Sequence, residues 1–171
     1  RICDMTVIMK IAKKYNLKII EDAAQSFGSK YKNKHAGTFG DIGCFSLHPL
    51  KNLNGIGDGG LIITNNKEYY ERIRSLRNHG IRDRNNVDEF GYVSRYDSLK
   101  ATILMDRLKN LKLVIKKRRQ NAKIYMKLIN NPNVFIPDET KSEFNTYHTF
   151  VVQVKKRTGL IKYLKKNGIS T

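Results

Sequence analysis

Phe45-Ser46-Leu47-His48-Pro49-Leu50-Lys51-Asn52-Leu53 runs into Gly55-Ile56-Gly57-Asp58-Gly59-Gly60, and the reading of this junction governs the rest of the chain. The glycine run formally satisfies G-x-G-x-x-G, a dinucleotide fingerprint. That motif works only where a strand enters it and a helix leaves it, so that helix N–H groups face a pyrophosphate. Here the exit is Leu61-Ile62-Ile63-Thr64, a strand pattern. The glycines are therefore read as letting the backbone turn tightly and approach a bound ligand. Lys51 taken alone would be an ordinary exposed loop lysine. Set among apolar and glycine residues it is less hydrated, a condition that makes an amine nucleophilic.

Outward from this junction, Ile42 to Ser46 and Gly60 to Thr64 are short apolar runs bounded by glycine, and they predict strands on either side of the Lys51 loop. Upstream, Ile8, Ile11 and Ala12 recur at helical spacing and predict a helix from Met5 to Tyr15 capped by Asn16. Leu17 to Ile20 follows as a buried strand, closed by Glu21-Asp22. A helix, then a strand with an acidic pair at its carboxyl end, matches the open α/β layout in which ligands sit at strand carboxyl ends.

Downstream, Tyr70, Ile73 and Leu76 predict a surface helix over Lys67 to Asn78, ended by His79-Gly80. From Asp97, a residue suited to an N-cap, Leu99, Ile103, Leu104, Leu108, Leu111, Ile115, Ala122, Tyr125 and Leu128 hold one helical face, as a bridge to a second domain would. Pro132 and Pro137 bracket a loop region. Tyr147 to Val154 alternates as a strand, and Arg157 to Asn167 reads as a helix ending at Gly168. The expected division is 1–115 as part of a larger domain and 116–171 as the connecting helix with the start of a smaller one.

A chain of 171 residues, 40% hydrophobic with nine Tyr and seven Phe, can bury a core, which argues against disorder. No apolar run approaches the roughly 20 residues that cross a bilayer, and Arg1-Ile2-Cys3-Asp4 lacks the apolar core of a signal peptide. A cytoplasmic protein without membrane contact is the expectation. Cys3 and Cys44 have neither CxxC spacing nor histidines at ligand distance, so no disulfide framework or metal site is indicated. The formal charge of +18, from 33 Lys and Arg against 15 Asp and Glu, is spread over most of the chain, with one denser run at Lys116-Lys117-Arg118-Arg119. Such a distribution favours solvated helix faces over a nucleic-acid footprint.

Lys51, the Glu21-Asp22 pair and the small polar residues around them supply what pyridoxal 5'-phosphate requires. That cofactor needs a lysine amine for its aldehyde, a carboxylate to keep its ring nitrogen protonated, and small polar groups for its phosphate. Plainer readings stand beside this one. Asp22 could cap the following turn, and Gln25, Ser46 and His48 could be turn or core polar residues. His35, His79 and His148 have no partner spacing and are read as structural.

Taken together, Ile20-Glu21-Asp22-Ala23-Ala24-Gln25, Phe39-Gly40-Asp41-Ile42, Phe45-Ser46 with Lys51-Asn52-Leu53, Gly57-Asp58-Gly59-Gly60, Leu76-Arg77-Asn78-His79-Gly80 and Ser94-Arg95 with Asp97 resemble the DegT/DnrJ/EryC1/StrS family of sugar aminotransferases. The resemblance implies an α/β chain of PLP-dependent fold type I: part of the large domain, with a mixed, mostly parallel sheet, plus the start of a smaller α/β domain. It implies transfer of an amino group from glutamate or glutamine to a keto sugar carried on a nucleoside diphosphate, for surface polysaccharide or another glycoconjugate.

By the same resemblance Lys51 is the cofactor lysine, Asp22 the partner of the pyridine nitrogen, Gln25 the neighbour of the ring's 3-hydroxyl side and Ser46 a phosphate ligand. Arg95 is the arginine that one subunit of a homodimer offers to the substrate of the other. Related enzymes that dehydrate sugars carry histidine at the lysine position, so Lys51 favours transfer. Two departures stand out. Val93 replaces an asparagine that in the family reaches the neighbouring subunit's cofactor phosphate. The family is also about twice as long, so the chain reads as a central fragment, inactive by itself. The alternatives are a non-catalytic or regulatory relative, or a basic nucleic-acid-binding module.

Overall fold

The computed structural model describes residues 1–171. Helix α1 (Met5–Tyr15) starts where the Asp4 carboxylate accepts hydrogen bonds from the Thr6 and Val7 amides, and it ends at Asn16 in the left-handed conformation. The expected strand begins later than its apolar residues: β1 is Ile20–Asp22, so the acidic pair lies within it and not beyond it. The cause is Asp41, whose carboxylate accepts from the Ile19 amide at 2.8 Å, while Ile19's carbonyl takes the Asp41 amide. The backbone at Ile19 is thus diverted from strand pairing.

Two short hairpin strands, β2 (Lys30–Tyr31) and β3 (Lys34–His35), precede β4 (Ile42–Ser46) and β5 (Gly60–Ile63). β4 is the middle of a three-stranded mixed sheet, parallel to β1 and antiparallel to β5. Helix α2 (Lys67–Leu76) begins at Asn66, whose side chain accepts from the Tyr69 amide. It ends in a turn with positive φ at both His79 and Gly80. A small hairpin, β6 (Ile81–Asp83) with β7 (Asn86–Val87), follows.

Helix α3 (Ser98–Leu128) is continuous over 31 residues. Asp97 holds the cap position, but its carboxylate pairs with Lys100 at 3.2 Å and accepts no helix amide. The apolar stripe read along this helix is buried only in its middle, at Ile115 and Ala122, whereas Leu99 and Leu128 are 75% and 71% exposed. The middle is where α3 meets other segments: Ile115 lies against Gly28, and the Arg118 and Arg119 guanidiniums donate to the His148 and Asn145 carbonyls.

Beyond α3, β8 (Val134–Phe135) pairs with β10 (Gln153–Val154), and β9 (Glu143–Phe144) joins β2. The alternation over Tyr147 to Val154 therefore yields strand only at its last two residues. Tyr147 has φ +50°, which breaks extended backbone at the start of the run. Helix α4 (Arg157–Lys166) ends at Asn167-Gly168, the latter left-handed. The main buried cluster joins Ile2 and Met5 to Tyr31 and Ala36, with Phe39 packed on it.

Candidate functional site

In the mixed sheet, register decides which side chains meet. Asp22 pairs with Cys44, Cys44 with Ile62, and Ser46 with Gly60. Paired residues project to one face and alternate residues return to it, so Asp22, Cys44 and Ser46 share a face. Burial first, and the Asp22 carboxylate second, push the Cys44 thiol up.

Glu21 projects to the other face. Its carboxylate accepts from the Gly37, Phe39 and Gly40 amides at 2.7, 2.5 and 2.6 Å, fixing the loop that returns the chain to β4. The two acids of the pair thus have different tasks. Glu21 is saturated by backbone, while Asp22 is exposed and spends one oxygen, Oδ1, on the Ala24 amide at 3.0 Å. The plain reading of Asp22 as a turn cap is correct for Oδ1, and Oδ2 is left available.

Ser46 closes β4. Its Oγ accepts from the His48 amide at 3.3 Å, and the His48 Nδ1 accepts from the Leu50 amide at 3.1 Å. These local bonds, with the Lys51 amide donating to the His48 carbonyl at 2.9 Å, wind residues 46–51 into a tight turn at the carboxyl end of β4. Lys51 is half-buried, and no hydrogen bond or ion pair engages its ammonium. Gln25 lies exposed in the turn after β1, its amide unengaged.

Arg95 is exposed. It lines a cavity of about 1100 Å³ between α2 and the β6–β7 hairpin, together with Arg77, Arg84 and Glu89. The structure therefore brings Asp22 and Ser46 to one face of the sheet, with Lys51 on the turn that leaves it, and does not place Arg95 in that group. Val93 is exposed and forms a bridge with Asn78.

The glycine run turns tightly, as expected, and also makes room within the fold. Gly57 makes the turn at φ +73°. A Cβ at Gly59 would stand 2.3 Å from the Tyr96 ring, and one at Gly55 2.5 Å from the Tyr96 hydroxyl, so these two glycines make room for Tyr96. Arg107 of α3 donates to the Asn54 and Gly55 carbonyls at 2.7 and 3.1 Å and ties the loop to the helix.

Two further residues, Asn52 and His148, lie close to the Lys51 turn. Asn52 is 4% exposed and bonded to residues far away in the chain. The His148 imidazole is held below its ordinary pKa by burial first, then by the charges of Lys51 and Arg118. Only a contact between distant segments reveals either one, so no local pattern could have found them.

An unpaired half-buried amine, a carboxylate with one free oxygen and a serine hydroxyl on the carboxylate's face are the donor set that pyridoxal phosphate requires, and in that sense the residues fit it.

The DegT/DnrJ/EryC1/StrS aminotransferase family profile matches residues 1–171. The dTDP-3-amino-3,6-dideoxy-alpha-D-galactopyranose transaminase of Aneurinibacillus thermoaerophilus is 43% identical over 99% of this chain and 47% of its own length. A pleiotropic regulatory protein of Geobacillus stearothermophilus is 37% identical over 100% and 47%. Among solved structures, S. venezuelae DesV in complex with a ketimine intermediate superimposes with a TM-score of 0.92 at 33% identity, over 99% of this chain and 46% of that one. The chain spans about half the length of the curated relatives it matches.

Proposed function

This chain belongs to the DegT/DnrJ/EryC1/StrS aminotransferase family, and from that premise we propose that it carries the cofactor-binding part of a nucleotide-sugar aminotransferase. The observation that carries the proposal is the half-buried Lys51, its ammonium unengaged, on the turn that leaves the sheet face of Asp22 and Ser46. Relatives named for acting on UDP-, dTDP- and GDP-linked sugars support the substrate class. The amino donor in this reading is glutamate or glutamine, and the product serves surface polysaccharide or another glycoconjugate.

When bound, pyridoxal phosphate supplies an electron sink that stabilises negative charge at a donor α-carbon. Lys51 would hold the aldehyde and, once displaced by the donor amine, move the proton at that α-carbon. The free Oδ2 of Asp22 would keep the ring nitrogen protonated. Ser46 Oγ would donate to the phosphate, and Gln25 would stand beside the 3-hydroxyl. Arg95, set apart from this group, is suited to serving the site of a second subunit in a homodimer. The chain divides at 1–115 and 116–171, with α3 running through the boundary.

The test uses the full-length protein. Pyridoxal phosphate should give a visible absorbance band, and borohydride should fix a pyridoxyl group on Lys51. Lys51→Ala should lose the band, the adduct and transamination together. A Lys51→Ala enzyme that transaminates at the wild-type rate would overturn the proposal.

A second reading, a regulatory relative without catalysis, draws on the pleiotropic regulatory protein and on valine at position 93. It requires that wild type bind the cofactor without turning over any keto sugar.

A further inference from the structure

We infer that Asn52 is a positioning residue for Lys51, acting through a buried clasp that joins the lysine's loop to two segments remote in sequence. The inference rests on the reading of Lys51 as the cofactor lysine. Asn52 Nδ2 donates to the Phe27 carbonyl at 3.2 Å and to Thr146 Oγ1 at 2.8 Å. Thr146 Oγ1 lies 3.1 Å from Ser29 Oγ, and the Thr146 amide donates to Ser29 Oγ at 3.2 Å. Asn52, Ser29 and Thr146 are 4%, 2% and 1% exposed, so this is a closed network without access to bulk water.

Each of the three segments leads to a residue of the candidate site. Phe27 to Ser29 continues the turns that leave Asp22 and Gln25, for the Ser26 amide donates to the Ala23 carbonyl and the Ser29 amide to the Ser26 carbonyl. Asn52 adjoins Lys51. Thr146 lies two residues before His148, an imidazole held below its ordinary pKa by burial and then by the Lys51 charge. One carboxamide therefore sets how the Asp22 segment, the Lys51 loop and the His148 segment lie relative to one another.

The composition of the clasp argues that orientation, and not packing alone, is its purpose. Asn52 Oδ1 is buried with no partner. A leucine has the same branching and number of side-chain heavy atoms without that unsatisfied acceptor, so what asparagine adds is the pair of directed bonds from Nδ2. Sub-ångström placement of a reacting amine depends on such supporting bonds.

The experiment compares full-length wild type, Asn52→Leu, Thr146→Val and Thr146→Ser. Hydrogen exchange of Leu47 to Leu53 is followed without cofactor, and the rate at which pyridoxal phosphate is trapped on Lys51 by borohydride is followed by mass spectrometry. Asn52→Leu and Thr146→Val should each exchange this segment on the order of tenfold faster and slow trapping by a similar factor. Thr146→Ser, which keeps the hydroxyl, should restore both. If Asn52→Leu does not fold, judged by loss of a cooperative melt, Thr146→Val decides. Wild-type trapping rates in folded Asn52→Leu and Thr146→Val overturn the inference while leaving the cofactor-lysine reading intact. Failure of wild type to be trapped at Lys51 overturns that reading and the inference with it.

Discussion

Burial, and then the charge of the Lys51 ammonium, hold the His148 imidazole below its ordinary pKa, although the two residues lie 97 positions apart in the chain. The Asn52–Thr146 bond at 2.8 Å places the region after α3 beside the lysine loop, and this makes His148 a reporter on the candidate site. In Lys51→Met one cation is removed while most of the length of the side chain is kept. The His148 pKa should rise towards 6.5, as read from its ring proton shifts in an NMR titration. An unchanged titration would separate the two residues.

Glu21 should matter for stability and not for chemistry. Its carboxylate satisfies three backbone amides of the Gly37–Gly40 loop, and Glu21→Ala would leave them without that partner. The expected loss is about 3 kcal/mol in urea unfolding, with partial recovery in Glu21→Gln. Asp22→Ala, by contrast, removes a single turn bond from an exposed side chain and should cost under about 1 kcal/mol while weakening cofactor binding.

Gly59→Ala should destabilise the protein by about 1–3 kcal/mol, because its Cβ would enter the Tyr96 ring. Tyr96→Ala empties that space, so the double variant should be less destabilised than the sum of the two single changes. A double-mutant cycle reads this coupling directly. Strict additivity would show that Gly59 is required for some reason other than Tyr96.

Acid should weaken the packing of α3 against the region after it. Burial raises the Glu139 pKa, but the bidentate Arg119 guanidinium and the Asn145 amide outweigh that and leave it lowered. A carboxylate lowered in the folded state contributes stability above its unfolded value near 4.5, and that contribution disappears as pH falls through the folded value. Glu139→Gln should therefore be less stable than wild type at pH 7 and should lose less stability on acidification. Melting temperatures between pH 7 and 3 check both parts.

The helices α1, α2 and α4 and the strands β4 and β5 were legible within a residue or two, because each carries its signal in its own spacing and caps. Lys51 stood out as a candidate for the same reason: its apolar and glycine neighbours are its neighbours in sequence. Elsewhere tertiary contacts overrode local pattern. Asp41 captures the Ile19 amide and delays β1, and a left-handed Tyr147 removes most of the strand expected after it. The stripe on α3 has the right period over its whole length, yet periodicity states only which face is apolar and not how much of it meets a partner.

What the amino-acid order determined by itself, then, is an α/β chain with a lysine turn between two strands and an acidic pair before them, since backbone geometry ties side-chain spacing to helix or strand. Only the tertiary structure separated Glu21 from Asp22, by putting both in a strand, whose pleat sends adjacent residues to opposite faces, and pairing Asp22 with Cys44. It alone gave the glycines to Tyr96 and set Asn52 and His148 around Lys51. Those assignments depend on segments far apart in the chain being packed together, and hydrogen bonds across such distances leave no periodic trace in the sequence.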